Sequence, residues 1–222
     1  MKILPPISEK ELEQRAMALA GQTLGDVAWQ WGENTPKDLH RAKGWMGQLI
    51  EKALGANAGN LDQPDFIHLG IELKTLPINA QGLPNESTYI CTAPIPNRDP
   101  TFDQSRVWRK MARILWVPIE SSMDKPIAQR RISTPILWSP TPLIRSQLQK
   151  DWEELTEKMN VGKVDRLSAH LGEYLQIRPK AANSKTFVQI MNNEGQMISI
   201  VPKGFYVRTT LTQQILQEHY FL

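Results

Sequence analysis

The sequence predicts a mixed α and β architecture, α/β or α+β, and three observations carry that prediction. Short β-prone runs, several of them alternating apolar and polar residues, lie around residues 69–76, 87–93, 113–119, 173–178, 196–201 and 204–208. Helical patterns lie around residues 102–112, 146–160 and 210–220, with others nearer the N-terminus. The length, 222 residues, can bury a sizeable core and suits one large domain or two lobes.

Each element has a local reason. Ser8 with Glu11 forms a capping-box pattern ahead of Leu12, Ala16, Leu19 and Ala20, and Gly21 stops that helix. Thr35-Pro36-Lys37-Asp38 predicts another helix, with threonine as cap and proline at the first helical position. After Lys43-Gly44, residues Trp45, Met46, Leu49, Ile50, Ala53 and Leu54 recur at helical spacing until Gly55, leaving Gln48, Glu51 and Lys52 on the opposite face. The run Leu69 to Leu76 alternates and meets Pro77, which predicts a half-buried strand. Three prolines between Pro94 and Pro100 suggest a hinge between lobes. The last helix opens with Thr210 and has Gln213 three residues on.

Chemistry concentrates in the strand at 69–76. Side chains two apart share a face, so Glu72 and Lys74 point together while Ile71 and Leu73 face the core. Asp65, in the turn-rich segment just upstream, can fold back beside them. Two carboxylates and a backbone carbonyl such as that of Leu73 suffice for magnesium, which prefers oxygen ligands and keeps several waters. A lysine on that face can orient an attacking water or stabilise a developing oxyanion. By itself the pattern is also that of a solvated strand face with one Glu-Lys pair.

Composition narrows the alternatives. The formal net charge is only +3, from 26 basic and 23 acidic residues, so affinity for a polyanion requires local clustering. Arg106, Arg109, Lys110 and Arg113 offer such a cluster, because their spacing would form one stripe on a helix. Cys91 is the only cysteine, which excludes an intramolecular disulfide and fits a reducing cytoplasm; it reads as a small hydrophobe in a strand. His40, His68, His170 and His219 lack the spacing of a zinc helix, and the Gly55 to Gly59 loop lacks the ending of a phosphate-binding P-loop. No targeting or membrane-spanning segment is legible, so the expectation is a cytoplasmic protein without membrane contact.

Several stretches, in order over nearly the whole chain, resemble the MutH family of methyl-directed mismatch-repair endonucleases. They include Lys43-Gly44-Trp45 through Glu51, Leu54-Gly55-Ala56-Asn57-Ala58-Gly59, and Asp65-Phe66 through Glu72-Leu73-Lys74-Thr75-Leu76-Pro77. Further on come Ile114 to Glu120, Ala128-Gln129-Arg130-Arg131, Asp151 to Leu155, Gly172 to Asn183, and Gly204-Phe205-Tyr206. The resemblance implies an α/β restriction-endonuclease-like fold, a mixed sheet with flanking helices split into two lobes around a DNA-binding cleft. A catalytic lobe would cover about residues 15–100, and a recognition lobe about 101–222 with the N-terminal segment.

It implies further that Asp65, Glu72 and the Leu73 carbonyl hold one or two Mg2+ ions. Lys74 would be catalytic with them, Glu51 a supporting acid, and Lys110 would approach the catalytic site. Lys43, Gly44, Tyr89, Arg106, Arg109, Arg178, Pro179, Lys180 and Tyr206 would contact DNA. The implied activity nicks the unmethylated strand of hemimethylated GATC sites 5′ of the guanine, in a monomer activated by MutL and, through it, MutS. Alternatives are a GATC restriction-type enzyme that cuts both strands and a non-catalytic reader of GATC methylation. The sequence departs from the family pattern at Ala42, usually acidic, at Tyr89, usually phenylalanine, and at Trp108, usually histidine.

Overall fold

A computed structural model describes residues 3–39, 41–42, 44–59, 61–122, 124–160, 171–180, 187–191 and 196–220. In chain order the helices are α1 (Glu9–Leu19), α2 (Leu24–Gln30), α3 (Trp45–Leu54), α4 (Arg106–Met111), α5 (Pro142–Asn160) and α6 (Thr209–Tyr220). The strands are β1 (Glu72–Ile78), β2 (Thr88–Ala93), β3 (Ile114–Glu120), β4 (Ile136–Trp138), β5 (Leu175–Pro179), β6 (Val188–Met191), β7 (Met197–Ile200) and β8 (Lys203–Val207). The fold is therefore mixed α/β, with small sheets and surrounding helices.

The chain forms two compact units, one of residues 1–85, 112–139 and 216–222, the other of residues 86–111 and 140–215. This grouping differs from a split near residue 100, since the N-terminal segment and β3 both cluster with the first unit. The proline-rich loop Pro94 to Pro100 lies inside the second unit, so the chain does not pass between units there.

In the first unit the sheet order is β1-β3-β4, with β1 parallel to β3 and β4 antiparallel to it. Central β3 is apolar and buried from Ile114 through Ile119, as a strand covered on both faces must be. One core joins Leu12 and Ala16 of α1, Leu24 and Val27 of α2, and Leu49, Ile50 and Leu54 of α3 to Leu73, Leu115 and Val117.

Strand β1 runs through Pro77 instead of ending there. The Glu72 N–H donates to the Arg113 carbonyl on the β3 side, so by alternation the backbone groups of residues 73, 75 and 77 face the other edge, where the Pro77 carbonyl accepts from the Asn85 N–H at 3.1 Å. Pro77 thus lacks a donor only on the side away from β3, and the ladder to β3 loses no bond.

Two helix starts differ from the sequence expectation. Residues 33–39 form no helix, and the preceding helix is instead α2, opened by a reciprocal box between Thr23 and Asp26. The reason is burial: α2 puts Leu24, Val27 and Ala28 into the core, whereas few apolar residues follow Pro36 before Gly44. Helix α5 starts at Pro142, with the Thr141 hydroxyl accepting from the Ile144 N–H at 3.3 Å.

In the second unit β8 lies between β2 and β5, antiparallel to both, and β6 pairs with β7 in a separate two-stranded sheet. Helix α4 is shorter than the predicted 102–112 because Ser105, fully buried, takes the Trp108 N–H on its hydroxyl at 3.0 Å and so marks the helix start. Arg113 lies beyond its end, and its guanidinium pairs with Glu9 at 2.7 Å, so the four-residue basic stripe does not form. Among the described residues no helix is long and apolar enough to cross a membrane.

Candidate functional site

Asp65 reaches β1 through a loop built to return it. The Asp65 carbonyl accepts from the N–H groups of Asn57 at 2.9 Å and Ala58 at 3.2 Å, while the Asn57 side chain accepts from the Ile67 N–H. A 3-10 turn over Ile67–Leu69 ends at Gly70 with φ +66°, and the chain closes where Phe66 and Ile71 exchange backbone bonds. The Asp65 carboxylate then accepts from the Leu73 N–H at 2.8 Å. Because the backbone groups of one strand residue share a side, the Leu73 carbonyl faces the same edge.

Glu72 is 1% exposed, and its Oε1 accepts from Lys74 Nζ at 2.6 Å. Burial pushes the Lys74 ammonium toward neutrality, but attraction to Glu72, with its hydrogen bond, and to Asp65 and Glu51 outweighs that and raises its pKa above the usual lysine value. Three carboxylates thus act on one ammonium, including Glu51 of α3, a helix held between Gly44 at φ +82° and Gly55 at φ +81°. The half-buried strand of the sequence reading here carries a charge cluster in which Glu72 is buried and Lys74, Asp65 and Glu51 stay partly exposed.

The donors are all oxygen, which suits magnesium. Among the described residues no group of three or more acidic, histidine or cysteine side chains is arranged to hold an ion by itself. An ion here would draw its remaining ligands from the Leu73 carbonyl, water or phosphate, as magnesium commonly does.

The second unit assembles a basic aromatic face on its β2-β8-β5 sheet. Tyr89 of β2 pairs in register with Tyr206 of β8, and their rings meet edge to face at 5.4 Å. The Arg178 guanidinium lies 5.8 Å from the centre of the Tyr206 ring and donates to the Ser87 hydroxyl at 2.7 Å. The Lys180 ammonium lies 4.3 Å from the centre of the Tyr89 ring and donates to the hydroxyls of Tyr89 and Thr92. Burial, with a smaller push from Tyr89, raises the Tyr206 pKa above the usual phenol value against the opposing Arg178 charge. Its hydroxyl remains a neutral donor at physiological pH.

Comparison with known proteins decides the family. The model of the DNA mismatch repair enzyme MutH matches residues 54–151. The DNA mismatch repair protein MutH of Shewanella baltica (strain OS195) is 50% identical over 218 residues, 98% of each chain. That of Yersinia enterocolitica is 48% identical over 219 residues, 98% of this chain and 96% of the relative. The Shewanella oneidensis protein of the same name is 47% identical over 217 residues, 97% of each chain. The chain belongs to the MutH family of DNA mismatch repair enzymes.

A MutH-family chain is a mismatch-repair endonuclease and therefore acts on DNA. In this MutH-family structure the predicted residues fall into two groups. Glu51, Asp65, Glu72, Leu73 and Lys74 come together in the first unit, and Tyr89, Arg178, Lys180 and Tyr206 in the second, where Pro179 closes β5 as an exposed residue. Arg106, Arg109 and Lys110 lie on α4 of the second unit. Gly44 is the exposed cap of α3, and Lys43 lies outside the described residues.

Sequence reasoning missed the brace behind the second group. Asp151, 3% exposed on α5, accepts from the N–H groups of Glu173, Tyr174 and Leu175 at 2.6 to 3.0 Å and from the Gln147 amide. This fixes the start of β5, the strand that carries Arg178. A buried position for Asp151 was readable from the apolar Leu148, Trp152 and Leu155 around it, but its three partners lie more than twenty residues away.

Proposed function

We propose that this enzyme nicks the unmethylated strand of hemimethylated GATC sites, 5′ of the guanine, by magnesium-dependent phosphodiester hydrolysis, and that MutL activates it. The observation that carries the reading is the charge cluster at β1, where buried Glu72 accepts from the Lys74 ammonium at 2.6 Å and the Asp65 carboxylate is fixed on the Leu73 N–H at 2.8 Å. Such a set has excess negative charge with oxygen donors, beside a fixed cation.

Asp65 and Glu72 with the Leu73 carbonyl would hold Mg2+, and Glu51 would support them as a further acid. When bound, the ion acidifies water and neutralises charge on the phosphate. Lys74, held as an ammonium against Glu72, would orient water and stabilise negative charge developing on phosphate oxygen. The Asp65 loop and the Leu73 N–H keep the carboxylate in place before DNA arrives.

Arg106, Arg109 and Lys110 on α4 supply phosphate contacts, which carry affinity without sequence information. Lys43 and Gly44 contribute another DNA contact. Arg178, Pro179, Lys180, Tyr206 and Tyr89 read the GATC edge, where an N6-methyl on adenine adds bulk and removes a donor hydrogen. The fold is read as restriction-endonuclease-like, with the acidic cluster in one unit and the aromatic face in the other. The enzyme acts as a monomer in the cytoplasm.

The test is strand-labelled nicking of unmethylated, hemimethylated and fully methylated GATC duplexes, with and without magnesium and MutL. The expected result is cleavage of the unmethylated strand alone, resistance of fully methylated duplex, and dependence on both additions. Rapid cutting of both strands would point to a restriction-type enzyme, and binding without turnover to a methylation reader.

A further inference from the structure

Resting on the reading of Lys180 as a base-reading residue, we propose that Thr92 and the Tyr89 hydroxyl are positioning residues for it. They hold its ammonium at one place above the sheet and leave it one N–H for a single acceptor on a base edge.

Three features of the second unit build this arrangement. The register of β2 against β8 shifts between Tyr89 and Cys91, so Tyr89 and Thr92, three residues apart, come to one face, and their hydroxyls lie 3.1 Å apart. Middle strand β8 has glycine at 204, where an added Cβ would lie 2.9 Å from the Tyr89 ring and 3.2 Å from that of Tyr206. Without a side chain there, the Tyr89 ring can lie across β8 toward the β5 side. Lys180 follows β5 directly, and its backbone N–H is fixed by the Pro202 carbonyl at 2.6 Å, so its stem starts from an anchored point.

The ammonium then reaches over β8 to β2. It sits 4.3 Å from the centre of the Tyr89 ring, donates to the Tyr89 hydroxyl, and donates to Thr92 Oγ1 at 3.2 Å. An ammonium has three N–H donors, and among the described residues two are engaged. The third is what remains for DNA. Lysine is ordinarily a mobile point charge, suited to phosphate. Held in this way it loses little further freedom on contact and acquires a direction, which is what reading a base acceptor such as guanine O6 or thymine O4 requires.

The experiment is single-turnover nicking by the full chain with magnesium and MutL, on a GATC duplex and on duplexes with one base pair of the site changed. Thr92→Val should lower the preference for GATC over the changed sites roughly three- to tenfold. Thr92→Ser should keep it, and Tyr89→Phe, which retains the ring, should lower it in the same direction. In a Lys180→Met background Thr92→Val should add nothing, and the salt dependence of binding should not change. Unaltered preference in both Thr92→Val and Tyr89→Phe would overturn the proposal, as would equal losses on all duplexes with a shallower salt dependence, the mark of a phosphate contact. If Lys180→Met itself keeps the wild-type preference, the reading of Lys180 fails. If Lys180→Met loses it and the two hydroxyl variants do not, only the positioning role fails.

Discussion

The acidic cluster of the first unit and the basic face of the second hold their charges by opposite means. Glu72 and Lys74 are nearly enclosed, with side-chain exposures of 2% and 17%, and each charge is compensated by another. Arg178 and Lys180 are exposed, and among the described residues each rests on an aromatic ring and a hydroxyl instead of a carboxylate. The difference matches the tasks proposed for them. Charges acting on a phosphate gain strength from a low-dielectric surrounding. Charges that read base edges must remain open to a partner as polar as water, so rings and hydroxyls fix them without neutralising them.

The largest expected effect breaks the first arrangement. Replacing Asp65, Glu72 or Lys74 with alanine should each reduce nicking by about a thousandfold or more while DNA binding persists, which single-turnover rates and a binding titration would show. Full activity of Asp65→Ala at saturating magnesium would remove it from the ligand set.

The next effect tests the brace under the second arrangement. Asp151→Ala leaves the buried N–H groups of Glu173, Tyr174 and Leu175 without their acceptor, and should cost about 3 kcal/mol in urea unfolding. A loss below about 1 kcal/mol would mean that water replaces the carboxylate.

Tyr206→Ala should sharpen the comparison further, because it removes a proposed reader without touching the acidic cluster. The rate ratio between hemimethylated and fully methylated duplexes should narrow by about tenfold, more than the best rate falls. An unchanged ratio would move methyl sensing to Arg178 or Tyr89.

The smallest effect is a control for exposed charge. Lys125 donates to Glu120 at 2.5 Å and holds its pKa below the glutamate value of 4.5 against the opposing push of burial, with further help from the Arg131 N–H. A depressed carboxylate pKa stabilises the fold above the unfolded value, and the benefit is lost as pH falls through the folded one. Glu120→Gln should therefore cost about 0.5 kcal/mol or less at pH 7, with the difference vanishing in acid, as thermal melts at several pH values would show.

Local sequence carried much of the first region. The spacing of Glu72 and Lys74 puts them on one face of any strand, and the glycines at 44 and 55 bound α3 wherever it packs. It failed at Thr35-Pro36, where a good helix start had too little apolar surface to bury, and at Arg113, where the helix stopped before the basic stripe was complete. Both failures concern how far an element extends, which packing decides more than propensity does.

By itself the sequence determined the alternation that pairs Glu72 with Lys74, the helical spacing of the core residues, and a family likeness spread along the chain. Only the tertiary structure decided that Glu72 is buried, that Glu51 acts on Lys74, and that Asp151 braces β5. It alone brought Tyr89, Thr92, Lys180 and Tyr206 onto one face from three separate strands and their ends. The physical reason is range. Backbone periodicity acts over a few residues, whereas burial, charge and ring contacts depend on distances in space that only sheet pairing and close packing set.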